Sequence, residues 1–554
     1  MSAWATKQRL LLYASVVVYA AVAYYLSALR FMEFYCRNWD FGIFQQALWS
    51  TAHGRVMWES GDLETFGVTS FFQIHPSFIM FPLAGLYEIS PVPWTLLLLQ
   101  AVVTGLAAIP LYCLAKRVTG SETKGLIAAV VFLAWTPVLS SNLYDFHLES
   151  FLPLELFTFF YLWVSRQYWF ALAAAAVSSL TLEIVPILIV FFLFFVYFDD
   201  ILDFARAFWS WVRGKTGNFL RSFTAERASR EKASGREDNP VLSWGIAMLV
   251  FSIAIYLLLR LFQGPLLSLV LGTTSSASPG ANLSPTSLNL SIYYFPGGFL
   301  AKAEYWVLIY ALVAFIPLLY PRTVILVAPW VFWTFFTPYL NTVHLGYSYG
   351  YIAAVPMLIG FCYGLSRFDS ASFRWIGSAP RSPTGEARGR KRLPSPLATV
   401  IVVVLVANIL ISPVDPLVQS SGLAGFGTPG YWVSYDQGPG YSQVVSAAAL
   451  IDPSSSYVLA SDDLFVFVAN DVNAYSTLTN SQNLSNTPFS PSNLPTYLFI
   501  SGNEAAYLPQ FISNVLVGTS DYGVRAIVNS TPVGTVTLYE LGYHPAGPES
   551  TEAS

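Results

Sequence analysis

Charge is what this sequence has least of. Only 11% of its 554 residues are Asp, Glu, Lys or Arg, against about 25% in soluble domains. A soluble globular fold is thereby excluded, and a membrane protein of many spans is expected. The net charge is −4, and no basic-aromatic array is present, so no nucleic-acid partner is expected. Cysteine is almost absent: Cys36, Cys113 and Cys362 are far apart and the C-terminal region has none. That excludes a disulfide scaffold or a cysteine zinc site. No phosphate-binding Gly-rich loop, Gly-x-Ser-x-Gly elbow or His-Glu-x-x-His helix occurs, which removes ATP-driven and zinc-hydrolase chemistry of the soluble type.

What is present is 55% hydrophobic and 16% aromatic residues, gathered in long runs. Runs at 8–29, 93–115, 125–142, 150–165, 168–182, 184–201, 241–262, 303–320, 323–340, 347–366 and 396–412 give eleven expected spans, because about 20 apolar residues cross the hydrocarbon core. A shorter run at 76–89, interrupted by Pro82, reads as an interfacial or re-entrant helix.

Basic residues in short loops mark the cytoplasmic side. Lys116, Arg117 and Lys124 mark one loop and Arg166 another, while 203–239 holds eight basic residues and 367–393 seven. With the N-terminus inside, all four fall on that side. The chain then divides into a transmembrane domain (1–412) with a cytoplasmic basic linker (203–239), and an extracytoplasmic tail (413–554). The tail has a single basic residue, Arg525, against eleven acids. Strand-like segments begin at Tyr457, Asn473, Tyr497 and Val524, a helix is expected over 441–451, and 533–541 alternates as a last hairpin strand. The expected architecture is therefore an all-α polytopic membrane protein with surface helices in the first outer loop, plus a small α/β domain outside. No internal repeat is visible.

The polar residues that interrupt the apolar stretches gather at the outer face. Asp40 opens a helical pattern (Phe41, Phe44, Leu48) just after the first span; it is either an N-cap or a reactive carboxylate. His75 precedes Pro76. Asp145 and His147, in Tyr144-Asp145-Phe146-His147, have a spacing compatible with holding a divalent cation, Mg²⁺ or Mn²⁺, or with orienting a base; a solvated loop tip is equally compatible. Glu183 lies among apolar residues, where an ionisable group usually faces a cavity and marks a functional path. His344 starts the tenth span on the same face. Arg37 and Arg55 flank the Asp40 helix and are the candidates for holding a phosphate.

The combination of Trp39-Asp40-Phe41-Gly42, His75-Pro76, Tyr144 to His147, the Glu183 region and His344 resembles a prokaryotic family of predicted membrane proteins of unknown function, family 2079 of the domain-of-unknown-function series. More distantly, the arrangement is similar to GT-C-type glycosyltransferases, polytopic enzymes that take a sugar from a polyprenyl-phosphate carrier outside the cytoplasm. That resemblance implies that Asp40, the acid of the first outer loop, serves catalysis. The paired acidic motif of many such enzymes is missing, since Asn38 stands where a second acid would be.

Three functions follow as expectations. The first is glycosyl transfer from a lipid-linked donor to an extracytoplasmic acceptor, with Asp40 as general base or metal ligand, Glu183 as a second catalytic residue, and His75, Asp145, His147, His344, Arg37 and Arg55 binding substrate. The second is a proton-coupled transporter or flippase of a glycolipid built on Glu183. The third is an assembly factor without catalysis, for which Asp40 and Glu183 have no reason to converge.

Overall fold

The computed structural model describes residues 3–214, 218–234, 241–263, 298–337, 339–371, 396–415, 437–452, 457–477, 487–508, 510–518 and 521–544. Residues 264–297, between the seventh and eighth expected spans, and most of the basic segment 367–393 lie outside these residues.

Helices dominate because, without water, backbone N–H and C=O groups must bond within their own segment. The chain opens with α1 (Ala3–Met32) and a π-helical turn (Asn38–Gly42). The first-loop helices are α2 (Ile43–Ala52), α3 (Ser60–Phe66) and α4 (Met80–Ile89). The bundle continues with α5 (Pro93–Leu106), α6 (Ala108–Thr119), α7 (Glu122–Ala134), α8 (Thr136–Leu143), α9 (Leu152–Val164), α10 (Tyr168–Thr181), α11 (Val185–Val196), α12 (Phe198–Val212), α13 (Phe219–Ser234) and α14 (Leu242–Leu261). It closes with α15 (Phe299–Ala311), α16 (Val324–Phe336), α17 (Gly350–Ala371) and α18 (Pro396–Leu410).

Helix is found at each of the eleven expected spans, but the spans are not equal. Among the described residues, four helices are long and apolar enough to cross a membrane: Lys7–Met32, Pro93–Thr119, Leu242–Leu261 and Gly350–Phe368. The count reaches six if two bent pairs each form one span. The first pair, α7 and α8, bends by 44° around Trp135, where Pro137 enters the first turn of α8 and cannot donate to the preceding helix. The second, α11 and α12, bends by 73°; α12 carries Asp199, Asp200 and Asp203 beside exposed Phe204, Phe208, Trp209 and Trp211, as an interfacial helix does. The segment 203–239 is thus largely helical, with α13 folded back on α12 and Arg227 Nε 3.2 Å from Asp200 Oδ1. Helices such as α10, with 14 residues, reach only about 21 Å. α17 is the central element, buried continuously from Tyr351 to Phe361, and it packs on α6, α7, α8, α9 and α16.

The C-terminal unit adds α19 (Tyr441–Ala448), β1 (Val458–Ala460), β2 (Ala474–Ser476), β3 (Tyr497–Ile500), α20 (Gln510–Gly518), β4 (Tyr522–Thr531) and β5 (Gly534–Leu541). The sheet order is β2-β1-β3-β5-β4. β1 is parallel to both neighbours, whereas β5 is antiparallel to β3 and β4. The central strands are apolar and buried throughout, as parallel strands covered on both faces must be. Gly534, at φ +83°, lies where the β4–β5 hairpin turns and supplies a backbone conformation that costs other residues energy.

This unit sits directly on the first-loop helices. Gln46 Nε2 donates to the carbonyls of Asp471 (2.7 Å) and Ala474 (3.0 Å). The Ser476 amide donates to Glu64 Oε1 at 2.9 Å, and the Asn38 amide to the Asp462 carbonyl at 3.0 Å. α2 is consequently no amphipathic helix lying on a lipid surface. Phe41, Phe44 and Leu48 are buried, and so are the polar Gln45 and Gln46.

Candidate active site

The turn that follows α1 places Asp40. Its side chain caps no helix end, which removes the N-cap reading. Gly42 lets the turn meet the C-terminal unit, because a Cβ there would stand 2.7 Å from Phe465 Cδ1 and 2.9 Å from Asn38 Oδ1. The Tyr144 hydroxyl donates to Asp40 Oδ2, and His147 Nε2 lies 3.3 Å from Asp40 Oδ1. His147 Nδ1 is 3.1 Å from the Asp145 carbonyl oxygen. Both ring nitrogens thus face acceptors, and only the imidazolium has two N–H groups. Burial lowers the His147 pKa, but the hydrogen bond and charge of Asp40, with Glu149 behind, outweigh it and push it up to about 9. Burial alone raises the Asp40 carboxyl; the hydrogen bonds from His147 and Tyr144 and the Arg30 charge bring it below the usual carboxylate range.

A second pair lies across from the first. Glu183 occupies the break between α10 and α11, where Pro186 opens the new helix. It is 1% exposed, and its Oε1 is 3.0 Å from His75 Nδ1. Burial pulls the His75 pKa down and the Glu183 charge pulls it up, with a net rise. Glu183 is correspondingly lowered by His75 in spite of burial. His75 makes no other hydrogen bond through its ring among the described residues.

Between these pairs is a cavity of ≈ 140 Å³. Asp40, His147, Glu149, His75 and Asp62 line it together with Tyr339 and Tyr349; Trp39, Phe44, Phe66 and Phe71 contribute apolar wall. Trp39 and Phe66 are partly exposed, with ring centroids 6.1 Å apart. Asp62 is held on α3, whose first turn is capped by Glu59 accepting from the Asp62 amide at 2.8 Å. Burial raises the Asp62 pKa to about 6, against the opposing effects of Glu59 and His75.

The remaining sequence candidates do not line this cavity. Arg30 reaches from the end of α1 to Asp145, with Nη1 2.5 Å from Oδ1 and both side chains almost wholly buried (2% and 3% exposed). The Asp145 carbonyl accepts from Gln100 Nε2 at 3.1 Å, and Gln100 Oε1 accepts from the His147 amide at 2.9 Å. Asp145 therefore holds the turn that presents His147. Arg37 is half-exposed and turns to Asp462 (3.8 Å) and Glu504 (3.6 Å) of the C-terminal unit. Arg55 lies exposed over Trp58, 5.5 Å from the ring. His344 accepts from the Gly346 amide at 3.3 Å and packs on Tyr347, whose ring meets Tyr144 at 4.9 Å.

The residues offered for a divalent cation fit it poorly. Asp145 is committed to Arg30, and His147 directs Nδ1 to a carbonyl and Nε2 to Asp40. The two share no common point of coordination, and among the described residues no three His, Cys, Asp or Glu side chains group to hold a metal. Asp62, Tyr339 and Tyr349 complete the site without having been singled out from sequence, whereas Tyr144 and Glu149 belong to the polar run with Asp145 and His147 that ends the third expected span.

The family described as "Predicted membrane protein (DUF2079)" matches residues 30–508. The chain belongs to this family. Among curated proteins nothing matches. In outline the fold is similar to crystal structures of ArnT from Cupriavidus metallidurans. The undecaprenyl-phosphate-bound form is 16% identical, with 96% of this chain and 99% of that one covered and a TM-score of 0.47. The apo form is 15% identical, covering 95% and 98%, with a TM-score of 0.46.

Proposed function

We propose that this protein is a membrane glycosyltransferase that moves a sugar from a polyprenyl-phosphate-linked donor to an extracytoplasmic acceptor, with Asp40 as general base. The observation that carries the reading is the convergence of Asp40, His147 and His75 on one cavity beside the membrane helices, with Glu183 behind His75 rather than in the cavity wall. The basic loops at Lys116, Arg117, Lys124 and Arg166 support an orientation with the N-terminus inside and with this cavity and the C-terminal unit outside.

A carboxylate offers about four lone-pair positions; Tyr144 and His147 use two, one on each oxygen, leaving room for an acceptor hydroxyl. The acceptor oxygen forms a bond to the anomeric carbon, its proton passes to Asp40, and the electrons of the anomeric C–O bond leave with the polyprenyl phosphate. A carboxylate of lowered pKa is a weak base but is fully ionised at neutral pH. It serves when the transition state is oxocarbenium-like, because the hydroxyl loses its proton late. Positioned base catalysis contributes ~10²–10⁴-fold. Charge developing on the phosphate needs a cation, and with Arg37 and Arg55 turned away, His75 held by Glu183 takes that role. Exposed Trp39 and Phe66 suit the apolar face of a sugar.

The test is transfer from a panel of polyprenyl-phosphate sugars by purified protein in lipid. Asp40→Asn is expected to abolish turnover and Glu183→Gln to reduce it, with folding intact. Undiminished turnover in Asp40→Asn refutes the base assignment. Burial of Glu183 against His75 favours one alternative, a proton-coupled transporter or flippase, for which flux across liposomes would depend on Glu183 and be indifferent to Asp40.

A further inference from the structure

A second cavity, ≈ 540 Å³, opens at the opposite end of α1, α6 and α9. Arg9, near the start of α1, is separated from Met32 at its end by about 35 Å of helix, more than the thickness of the hydrocarbon core. The two cavities therefore face opposite leaflets.

Three cations line this second cavity, Arg9, Lys116 and Arg117, alongside the phenols of Tyr13, Tyr112 and Tyr161. Glu122 accepts from Lys116 Nζ at 2.5 Å, so one anion stands against three cations. Arg117 is exposed and forms no ion pair among the described residues. Leu12 and Ile109 form apolar wall. Along α1, Leu10, Tyr13 and Val17 are exposed, so an apolar strip runs from the cationic pocket toward the bilayer centre. Guanidinium and phenol donors match phosphate oxygens, and basic pockets between membrane helices on the inner side suit anionic head groups.

We propose that this pocket binds the head group of an anionic phospholipid of the inner leaflet, its phosphate held by Arg9 and Arg117 and its acyl chains lying on the exposed strip of α1. The shared chemistry is a phosphate anion; the apolar strip is what favours a lipid over a soluble phosphate. The site is separate from the proposed transfer reaction and does not depend on it.

Native mass spectrometry of the delipidated full chain tests this, with phosphatidylglycerol, phosphatidylcholine and inorganic phosphate as probes. Wild type is expected to retain phosphatidylglycerol at least tenfold better than phosphatidylcholine, with inorganic phosphate failing to displace it. Each of Arg9→Gln and Arg117→Gln should lose roughly fivefold, and the pair about 25-fold. Arg213→Gln, an exposed cation just past the end of α12, should lose nothing. Should the neutral variants fail to fold, Arg9→Lys with Arg117→Lys keeps the charge and should retain the lipid. Equal retention of both lipids, full retention by the folded neutral variants, loss in the lysine pair, or displacement by inorganic phosphate overturns the proposal.

Discussion

Asp145→Asn should destabilise the protein rather than disarm a metal site. The substitution keeps the shape but leaves the Arg30 guanidinium, 2% exposed in its side chain, without its counter-ion. Its remaining neutral contacts include the Tyr35 carbonyl at 3.1 Å and Cys36 Sγ at 3.6 Å. Breaking one side of a buried pair costs about 3–5 kcal/mol, because the surviving charge stays desolvated. Over 554 residues, an unfolding entropy of about 2 cal/mol/K per residue converts this to a fall of only about 3–4 °C in melting midpoint, which fluorescence-detected melting in detergent resolves. Removing both charges with Arg30→Met and Asp145→Leu eliminates the stranded ion and should recover most of the loss. An Asp145→Asn variant that melts with wild type, or a double variant worse than either single one, refutes the counter-ion role of Asp145. A midpoint raised by Mg²⁺ in wild type and not in Asp145→Asn would restore the cation reading.

His147→Gln tests the Asp40 pair through pH. A histidine raised from 6.5 to about 9 on folding contributes stability that is complete below pH 6.5 and is lost as pH climbs through about 9. The wild-type melting midpoint should therefore fall across that window while the variant stays flat. Gly42→Ala forces Phe465 or Asn38 aside; it should expose the C-terminal unit to limited proteolysis and lower kcat more than it changes KM. Glu183→Gln removes the charge that raises His75, so the His75 ring should titrate at lower pH when followed by NMR.

Much of the helical scaffold was legible because apolar runs cannot hide, and the strands of the C-terminal unit because short apolar runs bounded by turn residues are local signals. Asp40, His75, His147 and Glu183 were legible for a different reason: an ionisable group is expensive at an apolar boundary, so its position carries information. The same logic reaches the Arg30–Asp145 pair, since a cation in the last turn of α1 demands an acid at matching depth. Asp62 gave no such signal. Ser60-Gly61-Asp62-Leu63-Glu64 reads as an ordinary solvated helix, and it is buried only because β2, more than four hundred residues away in sequence, packs on α3.

That long-range burial is also what makes the site a site. α2 and α3 carry Gln46, Glu59, Asp62 and Glu64, all buried, and a helix with such residues on one side cannot rest between a lipid bundle and a second apolar body without hydrogen-bond partners. The C-terminal unit supplies them to Gln46, through the carbonyls of Asp471 and Ala474, and to Glu64, through the Ser476 amide, and its Asp462 carbonyl accepts from the Asn38 amide of the preceding turn. Backbone partners fix position more rigidly than flexible side chains do, so the turn holding Asp40 is set from two sides: by the unit above, through Asn38 and Gly42, and by the bundle below, through Tyr144 and His147. A carboxylate fixed in this way has already lost the freedom that a transition state would otherwise have to remove. An inert scaffold would have no need to hold Asp40 from both directions.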